Sequence, residues 1–276
     1  MNFSLLPHAG PRRPTPGELA HRAAWPLTRR LFDLDRQAKH ADVIVDDESV
    51  PLPPPRHAVL FAANHTNIAD VPRIGYALDR PFYTVVARNA AFGVANTLTC
   101  YLFGTIWLTG GEATSKAKQK LARGQAVSKL RAGHNVLMFP ESVMNPCHTW
   151  RDGTPLLPFH KGIVAIARTA DAELIPVVTE YGPGGACYIR FGAPFDYRPY
   201  DDALSAAAAL RDLMGEAKLA LRDKYGTAPT KEAFLALRAD WRAAYPFLKP
   251  ETSVTFVEGY DDDPEGVAEW FLADEA

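Results

Sequence analysis

Cysteine is scarce in this chain of 276 residues: Cys100, Cys147 and Cys187 are the three it has. That scatter makes neither a disulfide framework nor a Cys-x-x-Cys metal site, and it fits free thiols in a reducing compartment. His134, His148 and His160 show no zinc spacing either, so no metal is expected. Long apolar runs are also missing. The least polar stretch, residues 91–108, carries Asn96, Thr97, Thr99, Gly104 and Thr105, which is too short and too polar for a bilayer span. Prolines and arginines interrupt the first residues before an apolar run can form, so no secretory leader is expected. The net charge of −2 excludes the strongly basic footprint of a nucleic-acid-binding protein. The glycines at Gly182, Gly184 and Gly185 lack the Lys-Ser/Thr ending of a phosphate loop and are read as a turn.

What the chain does have is core-forming material. Hydrophobic residues make up 47% of it, enough for one large domain. A catalytic domain over residues 51–225 is expected, between an N-terminal helical segment (1–50) and a C-terminal helical and acidic extension (226–276). Charge separates the two flanks. Residues 11–40 hold seven basic side chains against three acidic ones, whereas residues 251–276 hold nine acidic side chains and no Lys or Arg.

Residues 17–40 carry Leu19, Ala23, Leu27 and Leu31 every fourth position, with Leu34 close by. That period places them on one face of an amphipathic helix flanked by Trp25 and Phe32. With Arg22, Arg29 and Arg30 alongside, such a helix suits an anionic membrane surface. Packing on the protein body, with the arginines solvated, is the commoner role of an amphipathic helix, and the sequence leaves both open.

Beyond the stiff 51–55 connector (Pro-Leu-Pro-Pro-Pro), apolar runs at 58–63, 82–87, 103–108, 135–139, 173–178 and 188–191 read as strands. Helical patterns at 112–132, 163–170 and 205–225 alternate with them, with Gly133 as a stop signal. This alternation predicts an α/β fold: a mixed, largely parallel sheet flanked by helices, preceded by the amphipathic helix.

Chemistry concentrates where the first of these strands ends. Asn64 and His65 close the 58–63 run, Thr66 is placed to cap a helix, and Asp70 follows five residues after His65. In α/β folds this edge exposes ligand-binding groups. If the chain reverses at Thr66, the Asp70 carboxylate can hold one imidazole nitrogen of His65 and free the other to take a proton. The same spacing also describes a capped helix beside a hydrogen-bonded histidine. A second carboxylate, Glu141, follows the 135–139 strand as Phe139-Pro140-Glu141-Ser142 and should reach the same sheet edge.

Four motifs in this order resemble the glycerolipid (lysophosphatidate-type) acyltransferase superfamily. Asn64, His65 and Asp70 match its Asn-His-x-x-x-x-Asp motif. Residues 104–108 match its Gly-containing apolar block. Residues 139–142 match its Phe-Pro-Glu motif, and residues 174–177 its apolar block with proline, preceded by Phe159-His160-Lys161-Gly162. The resemblance implies transfer of an acyl group from acyl-CoA or acyl-carrier protein as co-substrate, with no other cofactor. It implies His65 as general base, Asp70 as its orienting partner, and Glu141 as a residue that binds or positions the acceptor. A cytoplasmic location, on or near the inner face of a membrane, is expected with it.

Two departures narrow the acceptor. Thr109 stands near one position where the family carries an arginine that grips a phosphate. Ser142, Val143 and Met144 stand where its Phe-Pro-Glu motif continues as Gly-Thr-Arg, so both arginines are missing; arginine is the side chain best shaped to fork onto that group. An acceptor without a phosphomonoester is therefore expected: a lysolipid of another kind, an amine or another hydroxyl compound. The substrate-binding set is then Asn64, Glu141, Ser142, Lys161 and Thr109, with Arg88 and Arg151 as further cations. An acyl-thioester hydrolase, or a non-catalytic acyl-binding protein on the same fold, is the alternative.

Overall fold

Short runs of branched and aromatic residues, set between helical segments, pair into one seven-stranded sheet. The computed structural model describes residues 13–38, 40–54, 58–66, 69–87, 100, 104–108, 116–141, 156–182 and 185–227. In chain order these form α1 (Pro16–Ala38), β1 (Val43–Val45), β2 (Val59–Ala63), α2 (Asp70–Ala77), β3 (Phe82–Ala87), β4 (Thr105–Leu108), α3 (Lys116–Arg131), β5 (Asn135–Met138), α4 (Gly162–Ala170), β6 (Glu173–Tyr181), β7 (Cys187–Phe191) and α5 (Ala203–Tyr225).

The strand order is β1-β7-β6-β2-β5-β3-β4. Strands β2 to β6 all run parallel, β7 is antiparallel to β6, and β1 runs with β7. The expected mixed, largely parallel sheet is therefore present. Two apolar layers sandwich it. Leu60, Ala62, Val136, Leu174 and Val178 face α3, α4 and α5, while Val59, Phe61, Ala63, Ile175 and Val177 face α1 and α2. Every residue of β2 is buried, as befits a central parallel strand covered on both faces.

Local chemistry sets the helix ends. Thr15 and Glu18 form a reciprocal capping box at the start of α1, with Thr15 N–H to Glu18 Oε2 at 2.7 Å and Glu18 N–H to Thr15 Oγ1 at 3.3 Å. Asp202 caps α5 by accepting from the Leu204 and Ser205 amides, and Gly226 ends that helix at φ 60°. Gly133 stops the chain after α3 at φ 76°, where the sequence placed a stop.

β1 went unforeseen because it is three residues long. Asp46, buried just beyond it, accepts hydrogen bonds from Arg190 Nε (2.7 Å), Lys224 Nζ (2.7 Å) and Tyr225 Oη (2.8 Å), which tie β1, β7 and α5 together. Burial pushes its carboxyl up, but the bonds from Lys224, Tyr225 and Arg190 outweigh that and hold it at about 2.

Helix α1 packs through Trp25, Thr28 and Phe32, all buried. Phe32 lies against Gly75 of α2, where any Cβ would overlap the ring. The leucine face points the other way: Leu19, Leu27, Leu31 and Leu34 are 53%, 63%, 37% and 46% exposed. No helix among the described residues is long and apolar enough to cross a membrane.

Candidate active site

The parallel strands β2 and β5 end side by side, with Leu60, Phe61 and Ala62 in register with Val136, Leu137 and Met138. Asn64-His65 and Phe139-Pro140-Glu141 leave those ends together, at the carboxyl edge of the sheet. β6 continues past them. Its last residue in register with β2 is Val177, opposite Ala63, and it extends to Tyr181.

Asn64 replaces the next rung of the β2–β6 ladder with its side chain. Its Oδ1 accepts the Thr179 N–H at 2.7 Å, and its Nδ2 donates to the Thr179 carbonyl at 3.1 Å and to Thr66 Oγ1 at 2.9 Å. This buried amide fixes the turn from which His65 projects.

Asp70 is the first residue of α2 and has no exposed surface. Its Oδ2 lies 2.9 Å from His65 Nδ1 and accepts the Thr66 N–H at 2.7 Å. Thr66 was expected to cap α2. The helix instead starts after Ala69 with no side-chain cap, and the Asp70 carboxylate reaches back to the Thr66 amide. A carboxylate only accepts, so a neutral imidazole bonded to it carries its proton on Nδ1 and leaves the Nε2 lone pair free. The His65 side chain is 23% exposed against 0% for Asp70, so the pair has one dry end and one end open to a substrate. The Phe139 ring stacks on the imidazole, centroids 4.2 Å apart and planes 25° from parallel.

Glu141 is buried at the same edge, with each oxygen taken by a backbone amide. Oε1 accepts from His65 N–H at 2.9 Å and Oε2 from Leu157 N–H at 3.0 Å. Lys161 stands exposed at the start of α4. Thr109, Ser142, Arg88 and Arg151 lie outside the described residues, as do Cys147 and His148.

Two site residues carried no motif. Tyr181 Oη donates to Asp70 Oδ1 at 2.6 Å, and Thr179 Oγ1 lies 3.5 Å from the same oxygen. Their signal was strand period. Ile175 and Val177 face α2, so Thr179 and Tyr181 on the extended strand face it too. Glu180 falls on the opposite face, where it pairs with Lys218 Nζ at 2.6 Å and Arg222 Nε at 3.2 Å. Lys218 Nζ also donates to the Thr179 carbonyl at 2.8 Å, so α5 braces the strand end that carries Tyr181.

A histidine held by a buried carboxylate, a buried turn that aims it and an aromatic wall are an arrangement that can remove a proton from a hydroxyl or amine. A family model for acyltransferases matches residues 43–180, which span all of these groups. The chain belongs to the acyltransferase family. It is 31% identical over 166 residues to a lyso-ornithine lipid O-acyltransferase of Pseudomonas aeruginosa. That match takes in 59% of this chain and 56% of the relative, so the chain spans little more than half of that protein's length. In fold it resembles the crystal structure of the 1-acyl-sn-glycerophosphate acyltransferase PlsC from Thermotoga maritima. The TM-score is 0.58 at 17% identity, over 75% of this chain and 83% of the other. The resemblance to the glycerolipid acyltransferases read from the four motifs is thus confirmed, and so is the α/β fold.

Proposed function

We propose that this chain transfers an acyl group from an acyl thioester, acyl-CoA or acyl-carrier protein, to a hydroxyl or amine of a lysolipid without a phosphomonoester head group. The observation that carries this is the 2.9 Å contact between His65 Nδ1 and the fully buried Asp70 carboxylate at the sheet edge. His65 Nε2 takes the acceptor proton as the acceptor oxygen or nitrogen attacks the thioester carbonyl. The tetrahedral intermediate collapses, the C–S bond breaks, and the imidazolium returns the proton to the departing thiolate. No covalent enzyme intermediate is required. The relative's name gives a lyso-ornithine lipid as acceptor, a lysolipid with an amino-acid head group. Such an acceptor fits a chain with Thr109 and Met144 where arginines would grip a phosphate.

Purified protein given labelled acyl-CoA tests the proposal. Thiol release should require lyso-ornithine lipid, exceed that with lysophosphatidate, and fall at least about a hundredfold in His65→Ala. Asp70→Asn should be similarly poor, because the imidazole tautomer is no longer enforced. Release without an acceptor would make the protein a hydrolase, and equal turnover on lysophosphatidate would remove the acceptor claim. Near-native turnover by His65→Ala would remove the mechanism.

A lysolipid acceptor calls for contact with a lipid surface. The open stripe of Leu19, Leu27, Leu31 and Leu34, with exposed Arg29 and Arg30 on the same helix, supports binding to anionic bilayers through α1. Flotation with anionic vesicles should drop sharply when the four leucines become serine. Unchanged flotation would assign membrane contact elsewhere.

A further inference from the structure

We infer that Tyr181 is a positioning residue of this site: its hydroxyl holds the Asp70 carboxylate so that Oδ2 is presented to His65. The inference rests on His65 acting as the base. Asp70 has two oxygens with different tasks. Oδ2 serves His65 and the Thr66 amide, whereas Oδ1 takes the β6 side chains, Tyr181 Oη at 2.6 Å and Thr179 Oγ1 at 3.5 Å. The torsion about an Asp Cβ–Cγ bond is broad and offers little resistance to rotation. A donor on Oδ1 resists that rotation together with the bonds to Oδ2, and the phenol supplies it from a strand braced by Lys218 of α5.

The phenol also suits the task electrostatically. Burial, and the Asp70 charge beside it, push the Tyr181 hydroxyl well above the ordinary tyrosine range, so it remains a donor at every working pH. Its register partner across the β6–β7 pair, Cys187, behaves alike: burial and Asp70 push that thiol up to about 12. It stays protonated and cannot compete as a thiolate.

Tyr181→Phe removes one oxygen and keeps the ring. The expected result is a fall in kcat of about ten- to hundredfold with KM for both substrates unchanged, since misorientation of a reacting group on this scale costs rate rather than binding. Nitrogen-15 NMR of the histidines supplies a readout that a merely structural role would not move. The His65 signals, assigned by their loss in His65→Ala, should report one Nδ1–H tautomer in the wild type and a mixture in Tyr181→Phe. Unchanged kcat overturns the inference, and so does a lowered kcat with the tautomer intact. Activity retained in His65→Ala would sink the base assignment instead, while the tautomer comparison would still decide whether Tyr181 orients the pair.

Discussion

Glu141→Gln separates two roles for the carboxylate after β5. In the structure Glu141 is 1% exposed and clamps two loops, taking the His65 amide at 2.9 Å and the Leu157 amide at 3.0 Å. A hydrogen bond to a charged acceptor contributes about 1.5–3 kcal/mol, and a buried donor left without an acceptor costs about 1–3 kcal/mol. A glutamine keeps one oxygen and turns an NH2 toward the second amide, so two donors face each other in a dry place. The loss should total about 2–4 kcal/mol. For a domain of this size that lowers Tm by about 5–15 °C. Because the clamp holds the backbone of His65, kcat should fall with it while KM for the acceptor changes little. Thermal denaturation with and without urea, beside steady-state kinetics on lyso-ornithine lipid, reads both quantities. A variant with wild-type Tm and kcat but a raised acceptor KM would refute the clamp and put the carboxylate in the acceptor pocket.

Two further outcomes follow from the packing. Gly75→Ala would set a Cβ 2.3 Å from Phe32 Cε2, so α1 and α2 must part. A loss of about 1–3 kcal/mol is expected, partly recovered by Phe32→Leu, and an unchanged Tm would show that α1 docks elsewhere. His134, beside Glu18, Lys129, Arg22 and His21 at the opposite edge, is held down to about 4, first by burial and then by Arg22. Between pH 6.5 and 4 the unfolded chain binds the proton and the folded chain does not. This contribution is therefore complete above 6.5 and shrinks as pH falls to about 4, by about 3 kcal/mol. Urea midpoints over that range should lose much of this slope in His134→Gln; an equal slope would acquit His134.

The site was legible where a local event marked it. Asn64, His65 and Asp70 sit within seven positions across a strand end and a helix start, so the spacing allowed His65 to meet Asp70, and the motifs that follow in order favoured that reading over a capped helix. Glu141 was placed at the correct edge by its strand. Its geometry was hidden, because whether a carboxylate faces a substrate or two backbone amides depends on the path of the 156–160 loop, which no local pattern encodes. Tyr181 was missed for a narrower reason. The apolar run stops at Val178, and Thr179, Glu180 and Tyr181 look like a strand's polar exit. In the sheet they stay paired with β7, and one face of that extension completes the site while the other meets Lys218 and Arg222.

Helix α1 shows where periodicity stops informing. The four-residue recurrence of leucine defines a face, and the structure contains that face. Hydropathy gives no direction to it. The helix has two apolar sides, one with the aromatic rings of Trp25 and Phe32 and one with leucines. The body takes the aromatic side because Phe32 fits over Gly75 and Trp25 meets Phe82 edge-on, with centroids 5.4 Å apart. Polar anchors then fix the rotation of the helix: Glu18 bonds Lys129 at 2.8 Å and Arg22 bonds the Gly133 carbonyl at 2.6 Å. Rotating the leucines inward would break both and expose two large rings. Leucines left outward by such anchoring are a surface held in place by the fold, and the serine substitutions at those four positions should therefore lower vesicle binding while leaving Tm within a few degrees, since exposed positions contribute little to stability.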